Sequence, residues 1–216
     1  GDHRDLHSFP KRRSSDLKRM MVDGVEGIKN NIFVGPSHSN DEIKSFLDIN
    51  KIDYKFLETN SLLQTVAKLI VEGNVVGWYQ GKMEWGPRAL GNRSIIADPR
   101  NAKMKDILNE KIKHRESFRP FAPCILEEYT SEYFDIDVSS PYMLLVAPVK
   151  KPEKIPAVTH VDGTARIQTV SKYINLLFYN LITEFYKITD VPVLINTSMN
   201  VRGEPIVDTP EQAYNM

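Results

Sequence analysis

At 216 residues, with 41% hydrophobic and 26% charged residues, the chain has the size and composition of one soluble globular domain. Lysine plus arginine and aspartate plus glutamate both number 28, so no whole-molecule field draws it onto DNA or an anionic membrane. No apolar run reaches the ~18 residues of a membrane span, and the single cysteine, Cys124, excludes an intramolecular disulfide, in keeping with a reducing cytoplasm.

Residues 1–30 read as a segment outside the fold. The first twenty are dense in charge, Ser and Pro and lack a sustained period, which predicts disorder. Their RDLHSFP and RRSSDL strings resemble in-frame translation of adapter DNA, so no function is drawn from their basic residues. Residues 31–216 read as the domain. Asn40-Asp41-Glu42 opens an amphipathic helix through Phe46 and Leu47, and Leu62, Leu63, Val66, Leu69 and Ile70 form a helical stripe closed by Gly73. Val75–Tyr79 reads as a buried strand and Ser94–Ala97 as another. A helix is expected from Asn101 to about Ile112, with Met104, Ile107, Leu108 and Ile112 on one face. Phe121–Leu126, Tyr142–Val149 and Ala165–Val170 read as strands, Asn175–Tyr186 as an apolar helix and Val191–Asn196 as a buried strand. Thr209-Pro210-Glu211-Gln212 has a helix N-cap, Pro at the first position and Gln at the third. The chain stops one turn later, which reads as a fragment of a longer polypeptide. Helices interspersed with short apolar strands imply an α/β domain around a twisted sheet.

Charge is unevenly placed. Gly81–Arg119 carries ten Lys/Arg against five acids, whereas Pro120–Met216 carries seven against twelve. The surplus sits in two motifs, Glu84-Trp85-Gly86-Pro87-Arg88-Ala89-Leu90-Gly91-Asn92-Arg93-Ser94 and Lys113-His114-Arg115-Glu116-Ser117-Phe118-Arg119-Pro120. Arginine forks bind phosphate and carboxylate oxygens bidentately, and glycines let backbone amides approach a ligand. Arg88 and Arg93, five apart, are placed to address different oxygens of one anion, although the spacing matches neither a Walker loop nor GxGxxG. Lys113 and Arg115 are also explained as ordinary charges at a helix C-terminus. Arg119, between Phe118 and Pro120, is expected to be partly desolvated and to need an anionic partner. Arg166 follows the Asp162-Gly163-Thr164 turn at a strand mouth. Asn196-Thr197-Ser198-Met199-Asn200 ends a strand with amides and hydroxyls suited to phosphate or ribose, or to plain turn formation. Cys124, within FAPCIL, is expected to act as a buried small hydrophobe. No metal site is expected: His38 lacks an HxxxH partner, and His160 with Asp162 is a weak pair.

The strings EWGPRALGNRSI, ADPRN, MKDILNEKIKHRESFRPFAP, HVDGTARIQTV and LINTSMNVRGEPIV resemble, in order, the C-terminal domain of the carbamoyltransferase family that includes NodU, CmcH and TobZ. The resemblance covers about Asn31 to Met216. It implies a YrdC-like α/β fold, a twisted mixed open sheet flanked by helices with a positively charged concave face. It implies that the domain binds ATP, with Mg²⁺ carried by the nucleotide, and carbamoyl phosphate, and forms carbamoyl-adenylate. A missing N-terminal actin-like domain holding iron would pass the carbamoyl group to a hydroxyl acceptor. By resemblance Arg88, Lys113, Arg119 and Arg166 act on the phosphates and carbamoyl group. Arg93, Arg115, Asn196, Ser198 and Asn200 bind substrate or nucleotide, Lys113 and Arg115 matching a K-x-R and Ser198 and Asn200 an S-x-N. Cys124 stands where Ser is usual and Met199 where Phe is usual. The rival reading is a YrdC-like RNA- or nucleotide-binding module without catalysis, though zero net charge and few basic–aromatic platforms make nucleic acid a poor fit.

Overall fold

The computed structural model describes residues 32–216, so the expectations for residues 1–30 lie outside the described residues. Its elements, in chain order, are α1 (Asn40–Ile49), α2 (Thr59–Val71), β1 (Val76–Tyr79), β2 (Arg93–Ala97), α3 (Met104–Ile107), β3 (Ala122–Leu126), α4 (Thr130–Tyr133), β4 (Leu145–Pro148), β5 (Thr164–Val170), α5 (Leu176–Thr189), β6 (Val193–Ser198) and α6 (Pro210–Asn215). Local chemistry explains the ends. Ser39 and Glu42 form a reciprocal capping box at α1, and Thr209 and Gln212 do the same at α6. Asn175 Oδ1 accepts from Phe178 N at α5, and Asp190, at φ 57°, closes that helix in the left-handed region.

The six strands form one mixed sheet in the order β1-β2-β6-β3-β5-β4. Only β3 and β5 run parallel; the other neighbours are antiparallel. This alternation gathers the end of β6 and the starts of β2, β3 and β5 at one end of the sheet. Helices α2 and α5 pack on each other and on the strands. Leu63, Val66, Ala67 and Ile70 of α2 meet Phe178, Leu181, Ile182 and Phe185 of α5 in the core. Full burial of each larger apolar side chain contributes about 1.5–3 kcal/mol.

Three differences from the sequence reading have physical causes. Leu69 lies outside the α2 stripe and is exposed, its place taken by Ala67, because the face that packs is narrower than the apolar run. The helix expected from Asn101 begins at Met104 and runs into a π-helical turn, Leu108–Ile112, where Lys113 N donates to Leu108 O at 2.9 Å. The strand read over Tyr142–Val149 shrinks to β4 at the sheet edge, where Leu144 and Val146 stay exposed. Cys124 is buried as expected; its thiol faces Leu194 O, and burial pushes its pKa up.

Candidate functional site

The Glu84–Arg93 loop is organised by its own acid. Glu84 is buried, and its Oε1 accepts the backbone amides of Leu90, Asn92 and Arg93 at 2.6, 2.7 and 3.3 Å. Gly91 has φ 109°, and a Cβ there would stand 2.4 Å from the Phe178 ring, so neither backbone nor space admits a side chain. The loop sends its two arginines to opposite fates. Arg88 is exposed and reaches the groove described below. Arg93 is fully buried: its guanidinium donates to the carbonyls of Gln80, Gly81, Asn92 and Pro36 and lies 3.6 Å over the Tyr79 ring. Arg93 therefore braces the loop and does not line either pocket of the groove, contrary to its expected role as a ligand contact.

The helix-end cations converge on the end of β6. The π-helical turn carries Lys113 inward to 5% exposure. Its ammonium donates to Ser198 O, to Asn200 O at 2.9 Å and to Asn200 Oδ1 at 2.8 Å, while Ser198 Oγ donates to the same Oδ1 at 2.6 Å. Burial, reinforced by the Arg115 guanidinium, pushes the Lys113 pKa down to about 8. Arg115 is oriented by Asn109 Oδ1, 2.7 Å from its Nε, and stacks over Phe121. Arg119 keeps 52% of its side chain exposed and has an anionic partner, Glu116, at 3.0 Å.

Two pockets share this end of the sheet. The larger, about 230 Å³, is lined by Lys113, Arg115, Arg119, Ser198, Asn200, Val201, Arg202 and Gly203. The smaller, about 110 Å³, has Arg88, Arg115, Arg166, Asn196 and Ser198 in its wall. Arg115 and Ser198 belong to both, and no Asp or Glu lines either one. Burial first, then the positive charge of Arg88 and Arg115, holds the Arg166 pKa below the usual guanidinium range. A cluster of like charges without a lining counter-charge stabilises whatever anion enters it.

Of the residues singled out in the sequence, the pockets bring together Arg88, Lys113, Arg115, Arg119, Arg166, Asn196, Ser198 and Asn200, and leave out Arg93. The sequence left Arg202 unassigned, although it lies in the quoted LINTSMNVRGEPIV string, and Gln168, which reads as an ordinary strand residue. Gln168 joins Leu90 O to the Asn196 amide. Among the described residues no group of three or more His, Cys, Asp or Glu gathers as a metal site, and no helix among them is long and apolar enough to cross a membrane.

A family model described as the carbamoyltransferase C-terminus matches residues 67–216, the whole of both pockets. The chain belongs to that family. It is 48% identical over 206 residues to an uncharacterized protein of Synechocystis sp., covering 84% of this chain and 34% of that one. It is 52% identical over 152 residues to nodulation protein NolNO of Sinorhizobium fredii, covering 68% and 22%. It is 46% identical over 136 residues to the 3'-hydroxymethylcephem-O-carbamoyltransferase of Amycolatopsis lactamdurans, covering 63% and 26%. The chain thus spans between about a fifth and a third of these curated relatives. Among solved structures, Sua5 of P. abyssi in complex with L-threonine aligns at TM-score 0.53 and 15% identity, covering 74% of this chain and 45% of that one. HypF of T. kodakarensis aligns at TM-score 0.51 and 21% identity, covering 71% and 19%. These likenesses show the YrdC-like fold that the family resemblance implied.

Proposed function

We propose that this domain binds ATP and carbamoyl phosphate and forms carbamoyl-adenylate for transfer to a hydroxyl acceptor. The observation that carries the reading is the convergence of Arg88, Lys113, Arg115, Arg119, Arg166 and Arg202 on two adjoining pockets with no lining carboxylate. Both substrates are polyanions, and the family includes a relative named as an O-carbamoyltransferase. The larger pocket suits the triphosphate and the smaller one the carbamoyl phosphate, with Arg115 between them.

The chemistry balances as two steps. Carbamoyl phosphate loses its phosphoryl group to water, giving carbamate, inorganic phosphate and a proton. A carbamate oxygen then bonds to the α-phosphorus of ATP as the bond to the pyrophosphate oxygen breaks. The fixed cations hold the reacting groups together and stabilise charge on the departing pyrophosphate. Mg²⁺ arrives with the nucleotide as part of the substrate. A cytoplasmic setting belongs to the same reading, because ATP is the substrate. Transfer to the acceptor, and the iron expected with it, are assigned to a separate actin-like N-terminal domain.

The test is the release of pyrophosphate, with at least one phosphate for each pyrophosphate, on adding ATP, Mg²⁺ and carbamoyl phosphate, with neither substrate alone sufficient for pyrophosphate. A nucleotide- or RNA-binding module predicts ATP binding without pyrophosphate. Release that is unchanged in Arg88→Ala or Lys113→Ala would remove these residues from the reaction.

A further inference from the structure

Lys113 is a buried ammonium whose acceptors are all neutral. It donates to the carbonyls of Ser198 and Asn200 and to the Asn200 side-chain oxygen, and Ser198 Oγ lies 3.4 Å away. Other cations of the chain have carboxylates: Arg119 pairs with Glu116 at 3.0 Å, and Lys187, on the surface, with Glu184 at 2.6 Å. Burial, and then the like charge of Arg115, brings the Lys113 pKa down to about 8. At pH 8 about half of such amines are uncharged, against about 1% or less for an ordinary lysine.

The surroundings tolerate the uncharged amine. Asn200 Oδ1 keeps the Ser198 hydroxyl as a donor at 2.6 Å, and two N–H groups remain for the carbonyls of Ser198 and Asn200. A lysine desolvated in a pocket beside another cation is the ordinary setting of an amine nucleophile. Room for a product lies alongside, because Lys113 lines the 230 Å³ pocket. Its partner Ser198 lines both that pocket and the 110 Å³ one.

Carbamoyl phosphate and carbamoyl-adenylate each carry a carbonyl carbon bonded to an anionic leaving group. We propose that Lys113 is a self-carbamoylation site, its amine taking the carbamoyl group from the substrate or the adenylate held beside it. This rests on the carbamoyl phosphate reading given above. The Nζ lone pair bonds to the carbamoyl carbon, and the bond from that carbon to the phosphate or AMP oxygen breaks. That oxygen keeps the electron pair, and one amine proton passes to water. The product is a neutral urea on the lysine stem. Each modification therefore removes one fixed cation from the anion site and ends the working life of that molecule.

The test incubates the full chain at pH 8 with Mg²⁺ and carbamoyl phosphate, with and without ATP. Excess glycine is present to trap cyanate shed into solution. Peptide mass mapping compares Lys113 with the exposed Lys187, and pyrophosphate is assayed in the same samples. Carbamoylation of Lys113 is expected to be at least about tenfold faster than that of Lys187. Pyrophosphate release is expected to decline in step with the modified fraction. Modification that needs ATP identifies the adenylate as donor; modification without ATP identifies carbamoyl phosphate. Sustained pyrophosphate release with Lys113 unmodified, or equal modification of Lys113 and Lys187, overturns the proposal and leaves the carbamoyl phosphate reading intact. Neither pyrophosphate nor modification overturns that reading, and this proposal with it.

Discussion

The ammonium of Lys113 and the side-chain oxygen of Asn200 lie 2.8 Å apart, joining the end of a π-helical turn to the segment that follows β6. The contact fixes the ammonium at the wall of the anion site, while burial and the nearby Arg115 guanidinium set its charge state. With a folded pKa of about 8 against an ordinary 10.5, Lys113 is charged below pH 8 and neutral well above it. ATP keeps a constant triphosphate charge over this range, so its affinity is expected to fall as pH rises through 8 and 9. In Lys113→Met the affinity should be weak and nearly flat with pH. An equally steep decline in that variant would place the titration elsewhere.

The same depressed value has a stability consequence of opposite sense. Below about pH 8 folded and unfolded chains both carry the proton, and the burial penalty is fully present. Between 8 and 10.5 the unfolded chain binds the proton more tightly, so the folded state gains stability as pH rises. Melting curves of the ligand-free protein should therefore show wild type gaining on Lys113→Met across that window.

Arg88 and Arg93 provide a paired prediction. Arg93 is buried against four backbone carbonyls and an aromatic ring, so Arg93→Met should destabilise by about 3 kcal/mol or more in urea titration. Arg88 is exposed among like charges, so Arg88→Met should leave stability within about 0.5 kcal/mol while weakening ATP or carbamoyl phosphate binding.

The loop carrying Arg88 should fail in two separable ways. Glu84→Ala leaves three backbone amides without their acceptor, and about 2–4 kcal/mol of stability should be lost. Gly91→Ala forces a side chain into the Phe178 ring at a positive φ and should cost at least as much, with poor recovery of folded protein on expression. Denaturant midpoints measure both.

Much of this fold was legible because periodicity and caps act locally. The opening of α1 at Asn40-Asp41-Glu42, the α2 stripe apart from Leu69 and the α6 cap of Thr209 and Gln212 are written in neighbouring residues. The cationic motifs were legible as well, since arginines beside glycine and proline are poorly explained by a solvated helix face. What each arginine does depended on distant partners. Nothing within EWGPRALGNR distinguishes Arg88 from Arg93; the difference lies in Pro36 and Gln80, which supply carbonyls to the second and not to the first. The candidacy of Lys113 was legible but its burial was not, because the π-helical turn that carries it inward has no proline or glycine to announce it. Gln168 was hidden because a buried amide in a strand has meaning only through Leu90 and Asn196, 78 and 28 residues away.

The central claim, adenylation of a carbamoyl group, is tested most directly by isotope exchange. Labelled pyrophosphate, unlabelled ATP, Mg²⁺ and the full chain are incubated with and without carbamoyl phosphate, and label is followed into ATP. Label is expected in ATP only when carbamoyl phosphate is present, with a loss of at least tenfold in Lys113→Ala or Arg166→Ala. A chain that binds ATP yet exchanges no label with carbamoyl phosphate present, or exchanges it equally without, would contradict the claim.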